Sequence, residues 1–392
     1  MHDVAIVGGG PGGLYAALQL AQRGFSVAVF EEHQTPGDPV HCTGVLADET
    51  FAEFDLPRAS VLNPLSTATF FGPSGGSIEY TTPSTEAVVI DRGVFDRLLA
   101  EQVRAAGASV TVGCRVTDVA VSDDMVTLSV SGLGRVDARV AILACGANYA
   151  IQRRLGLGMP EVHLQSAQLE LPADDLGPVE VHFGQEVAPR GFAWVVPVER
   201  TTGTFARIGL MCEGNAREYF ARFLGNVGAR WQVQVPDEPI EPRGKILPLG
   251  PIGRTFTSRV VAVGDAAGLV KATTGGGIYY SLVSARIAAD MLDRALSADT
   301  LDEVSLSVYE TCWRDALGEE MDAQMDLRRL AHQLSDEDID ALFELARTDG
   351  IMPIVRRTAK FNRHRHLIVS LLNHPPARRL LMQRVLGWGR IA

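Results

Sequence analysis

Lysine is scarce in this 392-residue chain, where Lys245, Lys271 and Lys360 are the only three. Its five cysteines, Cys42, Cys114, Cys145, Cys212 and Cys312, lie far apart and form no CxxC pair. That argues against a disulfide framework and a cysteine zinc site, and it fits a reducing, cytoplasmic setting. The histidines show no ligand spacing, so no metal is expected. Long apolar runs are missing as well. There is no stretch of about 18 apolar residues, and Met1-His2-Asp3 leads straight into a strand-like run, so neither a membrane span nor a secretory signal is expected. Asp and Glu are absent from Gly350 to Ala392, where nine Arg and Lys residues concentrate, although the whole chain carries a net charge of -11. An anionic partner would meet this tail rather than the body, and no nucleic-acid partner is expected.

Glycine, by contrast, is placed with purpose. The opening run DVAIVGGGPGGLYAALQLAQRGFSVAVFEE reads as strand (Val4 to Val7), glycine turn, helix (Leu14 to Arg23) and second strand (Val27 to Phe30), closed by Glu31. Gly8, Gly10 and Gly13 have the GxGxxG spacing. The first permits a tight turn, the second lets backbone approach a pyrophosphate, and the third lets the helix pack on the sheet. The helix N-terminus offers free N–H groups to an anion, and Glu31 is placed to accept from ribose hydroxyls. This βαβ unit predicts dinucleotide binding. The choice between NAD and FAD falls to a second stretch, Arg259 to Leu292: a strand (Val260 to Val263), then Gly264-Asp265, a glycine-rich loop and a helix beginning near Ile278. Asp265 at a strand end suits ribityl hydroxyls, and Gly275, Gly276 and Gly277 would bring N–H groups to a flavin ring. That arrangement favours FAD.

The pairing of GGGPGG with VGDAAG resembles the para-hydroxybenzoate hydroxylase-type FAD fold. Within it, DPVHCTGV (Asp38 to Val45), GFAWVVP (Gly191 to Pro197) and ATTGGGI (Ala272 to Ile278) resemble the geranylgeranyl reductase family. The resemblance runs from about residue 3 to 295. It implies an α/β architecture: an FAD-binding Rossmann-like domain (1–55, 87–160 and 245–298), a β-rich substrate-binding insert (56–86 and 161–244), and a helical C-terminal region (299–392) with a basic tail. It further implies Arg92 close to the FAD and a backbone contact from Val116 to adenine. The chain departs from the pattern at Ala144-Cys145-Gly146, where many members of the wider fold have Ala-Asp-Gly. A second departure is Thr43-Gly44, where many reductases have Glu after the cysteine. Both bear on the exact substrate more than on FAD.

The implied activity is reduction of isolated C=C bonds in an isoprenoid chain on a lipid, quinone or pigment precursor. An unactivated alkene accepts hydride poorly unless a proton arrives at its other carbon, so such a site needs an acid, a dry apolar pocket and faces that tolerate positive charge. Phe192 and Trp194, two apart on a predicted strand, face the same side and offer cation–π faces. Cys42 in PVHC is the first candidate for proton donor or substrate contact, with His41 beside it placed to favour ionisation of the thiol. Tyr279 and Tyr280 are further candidate donors or pocket walls, against the plainer reading of helix packing. The electron donor is left as NAD(P)H or reduced ferredoxin, since no second βαβ fingerprint occurs. An oxygen-using aromatic hydroxylase is the alternative. A flavin halogenase has a similar Trp-containing strand but also uses a lysine in its N-terminal part, and here all three lysines lie beyond residue 244. At the C-terminus, Leu380, Leu381, Val385 and Trp388 can share one helix face among arginines. That helix would touch a membrane peripherally, or be a solvated or oligomeric face.

Overall fold

The computed structural model describes all residues except 175, 236–239, 349 and 386–392, with side chains described as far as residue 380. Of the helix face expected from Leu380, Leu381, Val385 and Trp388, the helix Pro375–Val385 is described but only the Leu380 side chain is, and Trp388 lies outside the described residues. Among the described residues no helix is long and apolar enough to cross a membrane.

The opening βαβ unit forms as its pattern predicts, with strands His2–Val7 and Val27–Phe30 pairing in parallel around the helix Pro11–Gln22. The helix starts earlier than its apolar spacing indicated. Pro11 sits in its first turn, where the missing N–H costs nothing. The first strand's other edge pairs in parallel with Gly134–Leu143, and Val260–Ala262 continues the sheet beyond it. In order, Phe256–Thr257, Val260–Ala262, Gly134–Leu143, His2–Val7, Val27–Phe30 and Ser109–Thr111 lie side by side, with Val116–Val121 and Val126–Val130 folded back onto Gly134–Leu143. The central strands are buried almost throughout, as a parallel sheet covered on both faces requires.

A second sheet of seven strands runs Arg243–Leu249, Val162–Pro172, Gly203–Cys212, Phe192–Arg200, Val179–His182, Thr67–Phe71 and Ser77–Thr81. Two segments pair differently from their sequence-based grouping. Val61–Leu65 joins Val45–Ala47 and Ala87–Ile90 in a separate three-stranded sheet rather than the β-rich one. Arg243–Leu249 hydrogen-bonds to Val162–Pro172, which carries Lys245 onto the seven-stranded sheet. Both are short strands whose partners are remote in sequence, and local pattern carries no record of such pairing.

The C-terminal region is helical: Glu303–Ala331, Asp336–Thr348, Ile351–Thr358, Arg365–Asn373 and Pro375–Val385. The first of these helices ends at Ala331. Ser335 and Asp338 start the next with a reciprocal cap, Ser335 N donating to Asp338 Oδ2 at 2.9 Å and Asp338 N to Ser335 Oγ at 3.3 Å. The long helix docks on the eight-stranded sheet, Tyr309 Oη donating to Ala262 O (2.7 Å) and Trp313 Nε1 to Thr255 Oγ1 (2.8 Å). The shorter helices after Ala331 form a cap over the gap between the two large sheets.

Candidate active site

A cavity of about 1400 Å³ runs from the glycine turn to the cap helices. Ordinary ligand pockets span roughly 300–1,000 Å³, so this one has room for more than one small molecule. Every site residue expected from the sequence lines it except Tyr280.

At the nucleotide end the three glycines divide their work. Gly8 has φ +106°, and a Cβ there would lie 2.4 Å from Ala144 O. At Gly13 a Cβ would come within 2.1 Å of Gly8 O, while at Gly10 it would meet nothing within 4 Å. The first and third positions are glycine because protein crowds them. The second faces open space, as close approach of a ligand requires. Helix Pro11–Gln22 has no side-chain cap, so its first N–H groups remain directed at that space. Glu31 is buried beside the turn, its Oε2 accepting from Gly9 N at 2.6 Å and its Oε1 from His33 N at 2.9 Å. Val116 lines the same end of the cavity.

Farther along, Gly264-Asp265 begins a short 3-10 turn after Val260–Ala262. Asp265 Oδ2 pairs with Lys245 Nζ at 2.9 Å, and Asp265 is the main cause raising the Lys245 ammonium above its ordinary value, against burial. A Cβ on Gly277 would lie 2.5 Å from Asp265 Oδ1, so the carboxylate and the glycine loop need each other's shape. Backbone bonds from Lys271 N to Gly276 O (3.2 Å) and from Gly275 N to Lys271 O (2.8 Å) close that loop ahead of helix Ile278–Ala298. These features fit FAD: a pyrophosphate cradle at Gly8 to Gly13, an acid for ribose at Glu31, an acid for ribityl at Asp265, and backbone close to a ring at Gly275 to Ile278.

Arg92 pairs with buried Asp96 at 2.8 Å. Burial opposes its charge, yet Asp96 and the side chain of Cys42 outweigh that and raise the guanidinium above its ordinary value. Burial, with Lys245 and Arg243, lowers the His41 imidazole below its ordinary value. At neutral pH His41 is uncharged, and the cations near the Cys42 thiol are Arg92 and Lys245 rather than the adjacent histidine.

Phe192 and Trp194 stand on strand Phe192–Arg200 with ring centroids 5.8 Å apart at 60°. Trp194 is opposite Gly209 in the neighbouring strand, and a Cβ there would lie 2.6 Å from the indole. Gln168 ties this wall to the cysteine loop. Its Oε1 accepts from Trp194 Nε1 (3.3 Å) and Thr43 Oγ1 (2.9 Å), and its Nε2 donates to Cys42 O (3.3 Å).

The two tyrosines part company. Tyr279 lines the cavity, packs edge-on against Phe54 and directs its hydroxyl to Glu53 at 3.5 Å. Tyr280 is fully buried off the cavity, its hydroxyl accepting from Gln324 Nε2 at 2.9 Å. Burial raises both hydroxyls, helped by Glu53 for Tyr279 and Glu320 for Tyr280, which weakens both as proton donors.

Sequence reasoning missed Gln168, Lys245 and Lys271 as site residues, and it missed the cap. All three lysines line the cavity although all follow residue 244, so distance along the chain did not keep lysine from it. The cap contributes an apolar wall that includes Ile339, Leu342, Phe343, Leu367 and Leu371. Their i, i+3 and i, i+4 spacing marks one helix face and was available as a signal, although it does not say what the face covers.

The model of the FAD dependent oxidoreductase family matches residues 3–147. A digeranylgeranylglycerophospholipid reductase of Methanocaldococcus jannaschii is 31% identical over 359 residues, which cover 88% of this chain and 90% of that protein. Among solved structures, a geranylgeranyl bacteriochlorophyll reductase-like protein from Thermoplasma acidophilum has a TM-score of 0.84 at 23% identity, covering 98% of each chain. A variant of the halogenase PltM in complex with FAD has a TM-score of 0.70 at 15% identity, covering 99% of this chain and 92% of that one. These two structural likenesses bear on the fold.

Proposed function

The chain belongs to the geranylgeranyl reductase family of FAD-dependent oxidoreductases, and from that premise we propose that it reduces isolated C=C bonds of an isoprenoid chain. The observation that carries the reading is the continuity of one cavity from the nucleotide cradle to the apolar wall of the cap. FAD held along that cradle would, when reduced, supply hydride.

The protein's own residues then have distinct tasks. Gly8 to Gly13, Glu31, Arg92, Val116, Gly264, Asp265 and Gly275 to Ile278 hold the cofactor. Phe192 and Trp194 wall the substrate space, and their faces favour positive charge growing on a tertiary carbon by about 1–2 kcal/mol once water is excluded. Cys42 lines the cavity on a loop that Gln168 links to Trp194, which supports it as the proton donor or as a direct contact to the chain. Cap helices shelter the rest of the chain from water. NAD(P)H or a reduced ferredoxin delivers electrons by docking transiently, and the basic C-terminal segment brings the enzyme to the membrane that holds its lipid.

Anaerobic half-reactions test this reading. The flavoprotein is reduced with dithionite and mixed with a geranylgeranyl lipid or a prenyl quinone. Flavin reoxidation with a two-hydrogen gain in product mass is expected. Reoxidation only by oxygen, with oxygen added to an aromatic substrate, would establish a hydroxylase instead.

A further inference from the structure

A lysine ammonium is seldom buried without a carboxylate beside it. Lys271 is 3% exposed, and its Nζ donates to two neutral acceptors, Phe361 O and Asn362 Oδ1, both at 2.8 Å. Among the described residues no carboxylate lies within ion-pair distance of it. Glu320 and Glu49 act on it from farther off, and the ring of Phe361 lies 4.9 Å from the ammonium. Burial pushes this lysine down from 10.5 to about 7, so its charge is held at a cost to stability. Groups held at such a cost cluster at functional sites.

The position of Lys271 shows what the cost secures. Its backbone closes the glycine loop of the cofactor site, and its methylenes run beneath Gly276, where a Cβ would sit 3.7 Å from Lys271 Cδ. Its ammonium holds the link between the cap helices Ile351–Thr358 and Arg365–Asn373. The same link is fixed from three other directions. Asn362 Nδ2 donates to Thr50 Oγ1 (3.1 Å), His364 Nδ1 meets Thr273 Oγ1 (2.6 Å), and Arg365 N donates to Glu320 (3.0 Å). One residue thus touches the flavin loop with its main chain and the cap with its side chain.

We propose that Lys271 is a positioning residue that fixes the register between the flavin loop and the cap, and so decides which double bond of an isoprenoid chain faces the cofactor. The inference rests on the reductase reading. Double bonds recur once per five-carbon unit, so a slip of cap against loop by part of that unit replaces a reacting bond with a saturated spacer. Misplacement by about 1 Å can cost roughly 100-fold in rate.

The test compares Lys271→Met, Lys271→Arg and Asn362→Ala, each loaded with FAD, in flavin content, in kcat/KM across pH and in product mass. Lys271→Met is expected to keep its flavin, to lose roughly 10- to 100-fold in kcat/KM, and to give a changed mixture of partly reduced products. Lys271→Arg, which cannot lose its charge, is expected to restore the product pattern. It should also remove the fall in wild-type kcat/KM as pH rises through about 7. The groups facing Lys271 in that range are Glu49, Glu320, Tyr279, Tyr280 and His364, the last already lowered by burial and by Lys271 itself. Should Lys271→Met not fold, Asn362→Ala decides, because it removes the acceptor on the cap and leaves the flavin loop intact. Unchanged kcat/KM and product masses in these variants, beside an active wild type, overturn the inference alone. A wild type inert toward every isoprenoid substrate overturns the reductase reading and the inference with it.

Discussion

On the proposed reading, Asp265 and Cys42 separate cofactor binding from chemistry at the level of single side chains. Asp265→Ala removes the proposed acceptor for the flavin and leaves the Lys245 ammonium without its 2.9 Å partner. Charged hydrogen bonds contribute about 1.5–3 kcal/mol, so FAD affinity should fall by roughly 10- to 100-fold. Flavin absorbance retained after gel filtration measures this. Cys42→Ser should leave the flavin spectrum intact and slow anaerobic reoxidation by substrate about 100-fold or more, the usual scale of lost acid catalysis. An unchanged rate would make the thiol a packing group. For Lys271 the prediction concerns stability. Its folded value of about 7 lies below the ordinary 10.5, so between these pH values the unfolded chain binds a proton that the folded protein has released. Stability then rises with pH over that window. The Tm of wild type relative to Lys271→Met should therefore climb from pH 7 toward pH 10, and a flat difference would show that the ammonium is not desolvated.

Strand Phe192–Arg200 and its neighbour Gly203–Cys212 depend on each other through one missing side chain. Gly209→Ala places a methyl group where the Trp194 indole lies, and such overpacking costs about 1–3 kcal/mol. The ring must leave Gln168, so a raised KM for the isoprenoid with an unaltered flavin spectrum is expected. An unmoved KM would detach Trp194 from the substrate. At this scale the sequence was legible wherever a residue's reason is local. The roles of Gly8, Gly10 and Gly13 follow from turn, approach and packing within one βαβ unit, and the common facing of Phe192 and Trp194 follows from strand period. Gln168 was not legible. Its value comes from meeting Thr43, Cys42 and Trp194 across three segments, and nothing in the run SAQLEL marks that meeting.

Across the whole molecule, the site is a product of assembly. The eight-stranded sheet supplies the nucleotide cradle, the seven-stranded sheet supplies the aromatic wall and Lys245, and the cap supplies apolar cover. The cradle could be read from motifs, whereas the cover could only be guessed as helices, because their apolar spacing fits a core, a partner or a cavity equally well. Basic charge in the last 43 residues drew attention to the tail, while apolar faces both before that segment and within it proved to border the cavity.

That shared void also sets an order of events. Since one continuous space among the described residues would hold both FAD and a hydrocarbon chain, a lipid taken up first would stand in the flavin's path, and one taken up second would bar its exit. Flavin should enter delipidated apoprotein quickly and leave lipid-filled holoenzyme slowly, so on this reading the substrate would act as the stopper that keeps its own reductant in place.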